Sequence, residues 1–348
     1  MEGGSKFFTI HYSLFTSFSY ICGMKGITTT IFTHLEKLPV VNNDNFFHSR
    51  ELFAISAKTP RMKPYMVVCT DESGNVLSQL LAIVRYRATI LPPFFFMHCR
   101  VLGEGVYTPS EWRKEDLFGE MLQAITKKMS NKMLYIEFSH LTQKTFGHKW
   151  FRQQGYFPVH WMSIHNSLHS RTPEERINEK MQQRIDNAYA RGLTTDEVKT
   201  DEDFKAFTHL LHQHHWFKPK RYIPDNQFFK EASKTDCCRL FVTKYQQHVI
   251  GCSACVYSQG DAFLWYAAFR RKTYVMLHPD TLTIWHTIKY AHEHGDNHIN
   301  FMDVGLPFRK NSFREFILSF GGKPVSTVRW FRCSIRWINA LLSWIYRD

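Results

Sequence analysis

Asp303 stands near the end of an apolar run, Ile299-Asn-Phe-Met-Asp-Val304, two residues before Gly305. A carboxylate at a strand end projects into a cleft, and with apolar neighbours raising its pKa it takes a proton from an attacking amine as general base. The alternative is a cap on the following turn through a backbone N–H. Arg270, Arg271 and Lys272 follow the run Ala262 to Phe269, and a helix is expected to open after His278-Pro279-Asp280. A sheet edge, three cations and a helix N-terminus converge there, an arrangement that binds phosphate-bearing donors. A hairpin end carrying solubilising charge is the other reading. Arg309, Lys310 and Arg314 cluster after the next turn. They either hold a phosphate or carboxylate of an acceptor or form the solvated face of a helix bearing Phe313, Phe316 and Phe320. His215 and Trp216 fall where a joining helix borders the cleft, and Tyr266 lies in the strand leading to it. These three are assigned to substrate contact.

Other chemistries lack their residues. No G-x-S-x-G elbow, Walker loop or Rossmann glycine triplet occurs. Cys252 and Cys255 have C-x-x-C spacing inside a strand pattern, where residues three apart face opposite sides of a sheet. The histidine groups 212–215 and 292–298 have no carboxylate in register except Glu293, and no metal is expected.

The elements that must position these residues come in two similar series. In the first half, strand patterns at Tyr65 to Thr70, Val76 to Tyr86 and around Phe94 to Met97 precede a helix over Lys114 to Met129. A buried strand at Met133 to Phe138 follows, and Trp150 to Pro158 closes the series across Gly155. In the second half, strands at Arg239 to Tyr245, Val249 to Tyr257 and Ala262 to Phe269 precede a helix over Thr281 to His294. A strand at Ile299 to Val304 and a helix over Phe313 to Phe320 then lead to Gly321-Gly322. The shared order points to a duplication with an α+β fold of mixed, mostly antiparallel sheets flanked by helices. Helices at Glu174 to Arg191, Phe204 to Trp216 and Phe228 to Ala232 join the halves. The last, Ile335 to Tyr346, is apolar enough to pack on the body or lie in a membrane interface.

The totals agree. With 348 residues the chain has room for two domains, and 44% hydrophobic with 22% charged residues is the balance of a folded protein. The net charge of +13 favours polyanionic partners: a nucleotide cofactor, tRNA or an anionic membrane surface. Eight scattered cysteines form no disulfide framework and suit a reducing cytoplasm. Phe7 to Cys22 is too short and too polar to span a membrane, and ordinary sequence is expected from Met24-Lys25.

The run Leu240 to Arg332 resembles the C-terminal half of the FemAB-like, GNAT-related acyltransferases, a family that includes peptidoglycan bridge aminoacyl transferases and many bacterial proteins. The matching pieces, in order, are Val249-Ile-Gly251, Phe263-Leu-Trp-Tyr266, His278-Pro279, His294-Gly295, Asn300-Phe-Met-Asp303-Val-Gly305 and Phe316-Ile-Leu-Ser-Phe-Gly-Gly322. Arg176 to Gly192 is similar to the helix that joins two GNAT units in that family. The likeness covers residues 170–332 and reaches the first half through element order. It implies tandem GNAT-like units at 25–168 and 169–333, while residues 1–24 read as an N-terminal extension and 334–348 as a C-terminal amphipathic helix.

The activity implied is transfer of an acyl group from acyl-CoA, or an aminoacyl group from aminoacyl-tRNA, to an amine, with either donor a co-substrate and no tightly bound cofactor. A non-catalytic binder of tRNA or anionic lipid on the same fold is the rival. The partners expected are the donor, an amine acceptor and an anionic membrane touched peripherally, with no DNA. The expected location is the cytoplasm, with peripheral contact at the inner membrane. One departure concerns the donor loop, Arg270 to Pro279, which has no glycine where GNAT enzymes cradle a pyrophosphate on backbone N–H groups. Another is the lack of a heptad arm.

Overall fold

The computed structural model describes residues 17–20, 26–88, 92–142, 144–215 and 221–346; Trp216 and nearly all of the N-terminal extension lie outside the described residues. In the first half the strands are β1 (Ser17–Tyr20), β2 (Thr28–Phe32), β3 (Met62–Thr70), β4 (Val76–Ala88), β5 (Phe95–Leu102), β6 (Val106–Tyr107), β7 (Tyr135–Ser139) and β8 (Phe157–Ser167). The helices there are α1 (Arg50–Lys58), α2 (Lys114–Met129) and α3 (His148–Gln153). Then come α4 (Glu179–Ala190), β9 (Thr194–Glu197), α5 (Asp201–His215), α6 (Asn226–Ala232), β10 (Cys238–Tyr245), β11 (His248–Ser258) and β12 (Asp261–Phe269). The chain ends with α7 (Pro279–Glu293), β13 (His298–Phe301), α8 (Ser312–Leu318), β14 (Lys323–Cys333) and α9 (Arg336–Ile345).

The fourteen strands of the described residues join one sheet in the order β1-β2-β3-β4-β5-β7-β14-β8-β13-β12-β11-β10-β9, with β6 beside β4. Each half contributes an antiparallel meander closed by one parallel pair, β5 with β7 and β12 with β13. The closing strands are exchanged. β8, from the first series, pairs with β13, whereas β14, from the second, pairs with β7. β8 and β14 also pair with each other over Phe157 to His165, which fuses the halves into one sheet.

The helices form because each shows the sheet an apolar stripe. α2 buries Leu117, Phe118, Met121, Leu122, Ile125 and Met129 at helical spacing. Glu115 and Asp116 open it and Lys127 and Lys128 close it, complementing the helix dipole. Phe118, Phe138 and Phe151 stack edge-to-face under it, at centroid distances of 5.2 Å from Phe151 to each of the others. Each such ring buried contributes about 1.5–3 kcal/mol. A second core lies under α4, α7 and α8 around Ile185, Trp285 and Ile317. A third joins both halves, packing Phe53 of α1 with Phe207 of α5, Phe229 of α6 and Trp265 of β12. Cys252 lies in the joining core and Cys255 in the core under α7, on opposite faces of the sheet as their spacing requires.

Candidate active site

The two parallel pairs end differently. β5 and β7 stay paired to their ends, with Leu102 opposite Ser139. β12 and β13 part after Leu264 and Phe301, and β12 runs on through Trp265 to Phe269 without its neighbour. The strand expected to reach Val304 therefore stops at Phe301, and Asp303 stands in the loop beyond it. Gly305 shapes that loop with φ +93°, and a Cβ there would meet the Asn311 amide at 2.7 Å. The same Asn311 donates to the Val304 carbonyl at 2.8 Å and caps α8.

Side chains hold the freed edge of β12. Arg221 Nη2 donates to the Trp265 carbonyl at 2.7 Å, His215 Nε2 lies 3.2 Å from the Ala267 carbonyl, and His214 Nδ1 lies 3.1 Å from that of Phe269. Two cavities meet at this edge, and Asp303 and Arg221 line both. One, of about 280 Å³, also takes in His215, Arg271, Asp280 and Phe313. The other, of about 260 Å³, lies at the junction of the halves and takes in Arg85, Arg100, Glu137, Tyr266 and Arg329.

Asp303 does not have the apolar surroundings expected of a base. Burial would raise its pKa, but Arg329, then Arg100 and Arg221, overcome that and hold the carboxyl well below the usual range. Its Oδ1 accepts from Arg329 Nη2 and lies 3.7 Å from Arg100 Nη2. Both arginines also reach Glu137 Oε1 at 3.3 Å. Burial works against the Arg100 charge, yet Glu137 and Asp303 more than restore it. Such a carboxylate stays ionised at neutral pH and is a weak proton acceptor.

The donor-side cations are divided. Arg271 is exposed but pairs through Nε with Asp280 Oδ2 at 3.3 Å and lines the first cavity. Asp280 is buried in the first turn of α7 and accepts from Thr281 N at 3.0 Å, so a carboxylate of the chain already sits at that helix N-terminus. Arg270 is half-buried, its backbone N donating to Ile250, and Lys272 is exposed.

The acceptor-side trio is not brought together. Arg314 is buried and spends its guanidinium on the Leu306 and Arg309 carbonyls, each at 2.9 Å, which fixes the turn rather than facing a ligand. Arg309 and Lys310 are exposed on that turn. Tyr266 is buried in the junction cavity, with the Arg221 guanidinium 5.6 Å from its ring centre.

Sequence reasoning missed the junction arginines. Their signal was present: Arg85 and Arg87, like His98 and Arg100, alternate on one face of otherwise apolar strands. The register sets Arg85 directly opposite His98, and Arg100 opposite Glu137.

Residues 179–310 match the sequence model of a family described as an acetyltransferase (GNAT) domain. No curated protein matches the chain. Among solved structures, FemX superposes with a TM-score of 0.60 at 11% identity, covering 89% of this chain and 96% of that one. The C-terminal domain of a putative lysylphosphatidylglycerol synthetase from Agrobacterium fabrum gives 0.55 at 11% identity, covering 86% and 91%. A tandem GNAT protein from the clavulanic acid biosynthesis pathway gives 0.54 at 12% identity, covering 82% and 88%. Identities this low carry the fold alone, which is that of tandem GNAT proteins.

Proposed function

We propose that this chain, a FemAB-like member of the GNAT-related proteins, is an N-acyltransferase that moves an acyl group from acyl-CoA, or an aminoacyl group from aminoacyl-tRNA, to an amine. The observation that carries the reading is the parting of β12 from β13, with Asp303 at its base between two cavities. The donor occupies the side lined by Arg271 and Phe313, and the acceptor enters through the junction of the halves.

The amine nitrogen attacks the donor carbonyl carbon. A C–N bond forms, the C–S or C–O bond to the carrier breaks, and the carrier leaves as thiol or hydroxyl. Asp303, already paired with Arg329 and Arg100, serves in place of a base as a fixed anion that positions the loop at the wedge, and the acceptor ammonium loses its proton to water before attack. Holding both reactants at one wedge supplies most of the acceleration.

The donor loop lacks glycine and Asp280 occupies the α7 N-terminus, so a pyrophosphate there relies on side chains alone. This favours the aminoacyl-tRNA donor over coenzyme A. It also supports a second reading, a non-catalytic binder of tRNA or anionic lipid. Thermal unfolding with acetyl-CoA, a long-chain acyl-CoA or bulk charged tRNA tests the assignment. A ligand at a hundredfold excess over its Kd stabilises by about 2.7 kcal/mol. No shift with any of the three refutes the donor assignment, whereas binding of tRNA without transfer of its aminoacyl group selects the second reading.

A further inference from the structure

The junction cavity carries more positive charge than its own chain neutralises. Arg85, Arg87, Arg100, Arg221 and Arg329 line it with only two carboxylates, Glu137 and Asp303. Arg100 and Arg329 account for both carboxylates. Arg85 is 3% exposed and makes no ion pair among the described residues; its Nε has no hydrogen-bond partner, and its guanidinium lies 4.9 Å from the Tyr222 ring centre. His98, opposite it on β5, is 2% exposed and leaves Nδ1 without a partner. The Nε atoms of Arg221 and Arg329 and the indole Nε1 of Trp161 are also buried and unpartnered. A buried, uncompensated guanidinium destabilises a fold, and five guanidinium groups around one chamber against two carboxylates leave it short of an anionic acceptor.

We propose that this chamber binds a phosphate group. A phosphate monoester carries close to two negative charges and tetrahedrally arranged oxygens, and these accept from strands on several sides as a planar carboxylate does not. The volume of about 260 Å³ admits the phosphate and a short carrier. Trp161, Tyr222 and Tyr266 supply flat walls for that carrier. Under the proposed function the phosphate marks the acceptor, and that assignment rests on the transfer reading; the binding itself does not.

The test is thermal unfolding of the full chain in sodium phosphate against sodium chloride of equal ionic strength. The wild-type midpoint is expected to rise by about 4 °C at a hundredfold excess of phosphate over its Kd. In Arg85→Met the rise is lost, while the midpoint in chloride stays level or increases because an unpaired buried charge has gone. Should Arg85→Met fail to fold, Arg87→Met, at a half-buried position, is expected to weaken phosphate binding about tenfold. No rise beyond chloride in wild type overturns the proposal, as does a rise that persists in both variants. Glycerol phosphate and monomeric dihexanoyl phosphatidic acid separate the sources: equal binding identifies a free phosphate ester, and tighter binding of the lipid identifies a headgroup. Phosphate binding without turnover refutes the transfer reading alone.

Discussion

Asp303 and Arg329 form an ion pair between the splayed loop of the second half and β14, the strand that the second half lends to the first. The candidate active site is thereby fastened to the exchange of closing strands. Arg329 reaches Asp303, Glu137 and the Met302 carbonyl together, so the loop, β7 and β14 hold one another in place.

Asp303→Asn is expected to lower transfer about a hundredfold. It should also cost about 3 kcal/mol of stability at pH 7, because Arg329 and Arg100 are left with Glu137 alone. A carboxyl depressed in the native state stabilises above its unfolded pKa of about 3.9, and that contribution is lost as pH falls below it. Wild type and variant therefore converge in stability only in strong acid, as urea unfolding at pH 7 and pH 3 will show. A transfer rate that titrates near neutrality should report the acceptor amine and persist in shape in the variant.

Buried histidines, His48 and His98 among them, set the acid limit of the fold. Burial lowers His48 to about 3, and burial together with Arg85, Arg87 and Arg100 lowers His98 to about 2, both from 6.5. The unfolded chain takes up these protons near pH 6.5 and the native state does not. Stability is thus full above that pH and falls below it by about 1.4 kcal/mol per pH unit for each ring. His48→Gln is expected to reduce the slope measured by denaturant titration between pH 6 and 4 by one proton.

The exchanged strands predict that residues 1–168 and 169–348 do not fold separately. Each half lacks the strand that covers its innermost parallel pair, leaving β7 or β13 as an open edge. Coexpressed, the two pieces should copurify as a 1:1 complex with the circular dichroism of the intact chain. Two soluble, independently folded pieces would contradict the exchange.

α9 presents Trp337, Leu341, Trp344 and Ile345 outward, with Trp337 69% and Trp344 64% exposed, while Tyr346 stacks on Phe157 of the body at 5.9 Å. No helix among the described residues is long and apolar enough to cross a membrane. A helix of this kind lying against a body of net charge +13 is expected to bind anionic vesicles. Trp337→Ser with Trp344→Ser should weaken cosedimentation at least about tenfold.

Much of the architecture was legible because each strand and helix carries its own period. The 114–129 helix and strands β10, β11 and β12 fall within a residue of their patterns. The exchange was not legible, since β8 and β14 were not among the strands expected from the pattern and nothing local says which neighbour each meets. The site was half legible. Asp303 and Tyr266, picked out by strand position, line the junction cavity, but the guanidinium groups beside them come from β4, β5 and β14, distant in sequence. They reverse the expected shift of Asp303 because Coulomb attraction from three arginines outweighs burial.

Arg271→Ala is expected to raise the donor KM about tenfold with kcat unchanged, since Arg271 lines the donor-side cavity without touching Asp303. Equal KM values in wild type and variant would remove it from donor binding.

The central claim is transfer of a carbonyl group at the parted strands. Its most direct test is single-turnover mixing of the full chain with labelled acetyl-CoA, or with tRNA charged with a labelled amino acid, in the presence of a panel of primary amines. The account predicts an amide product that retains the label, formed from one of these donors and reduced about a hundredfold in Asp303→Asn. Saturated donor that is never discharged, or product formed equally well by Asp303→Asn, would contradict it.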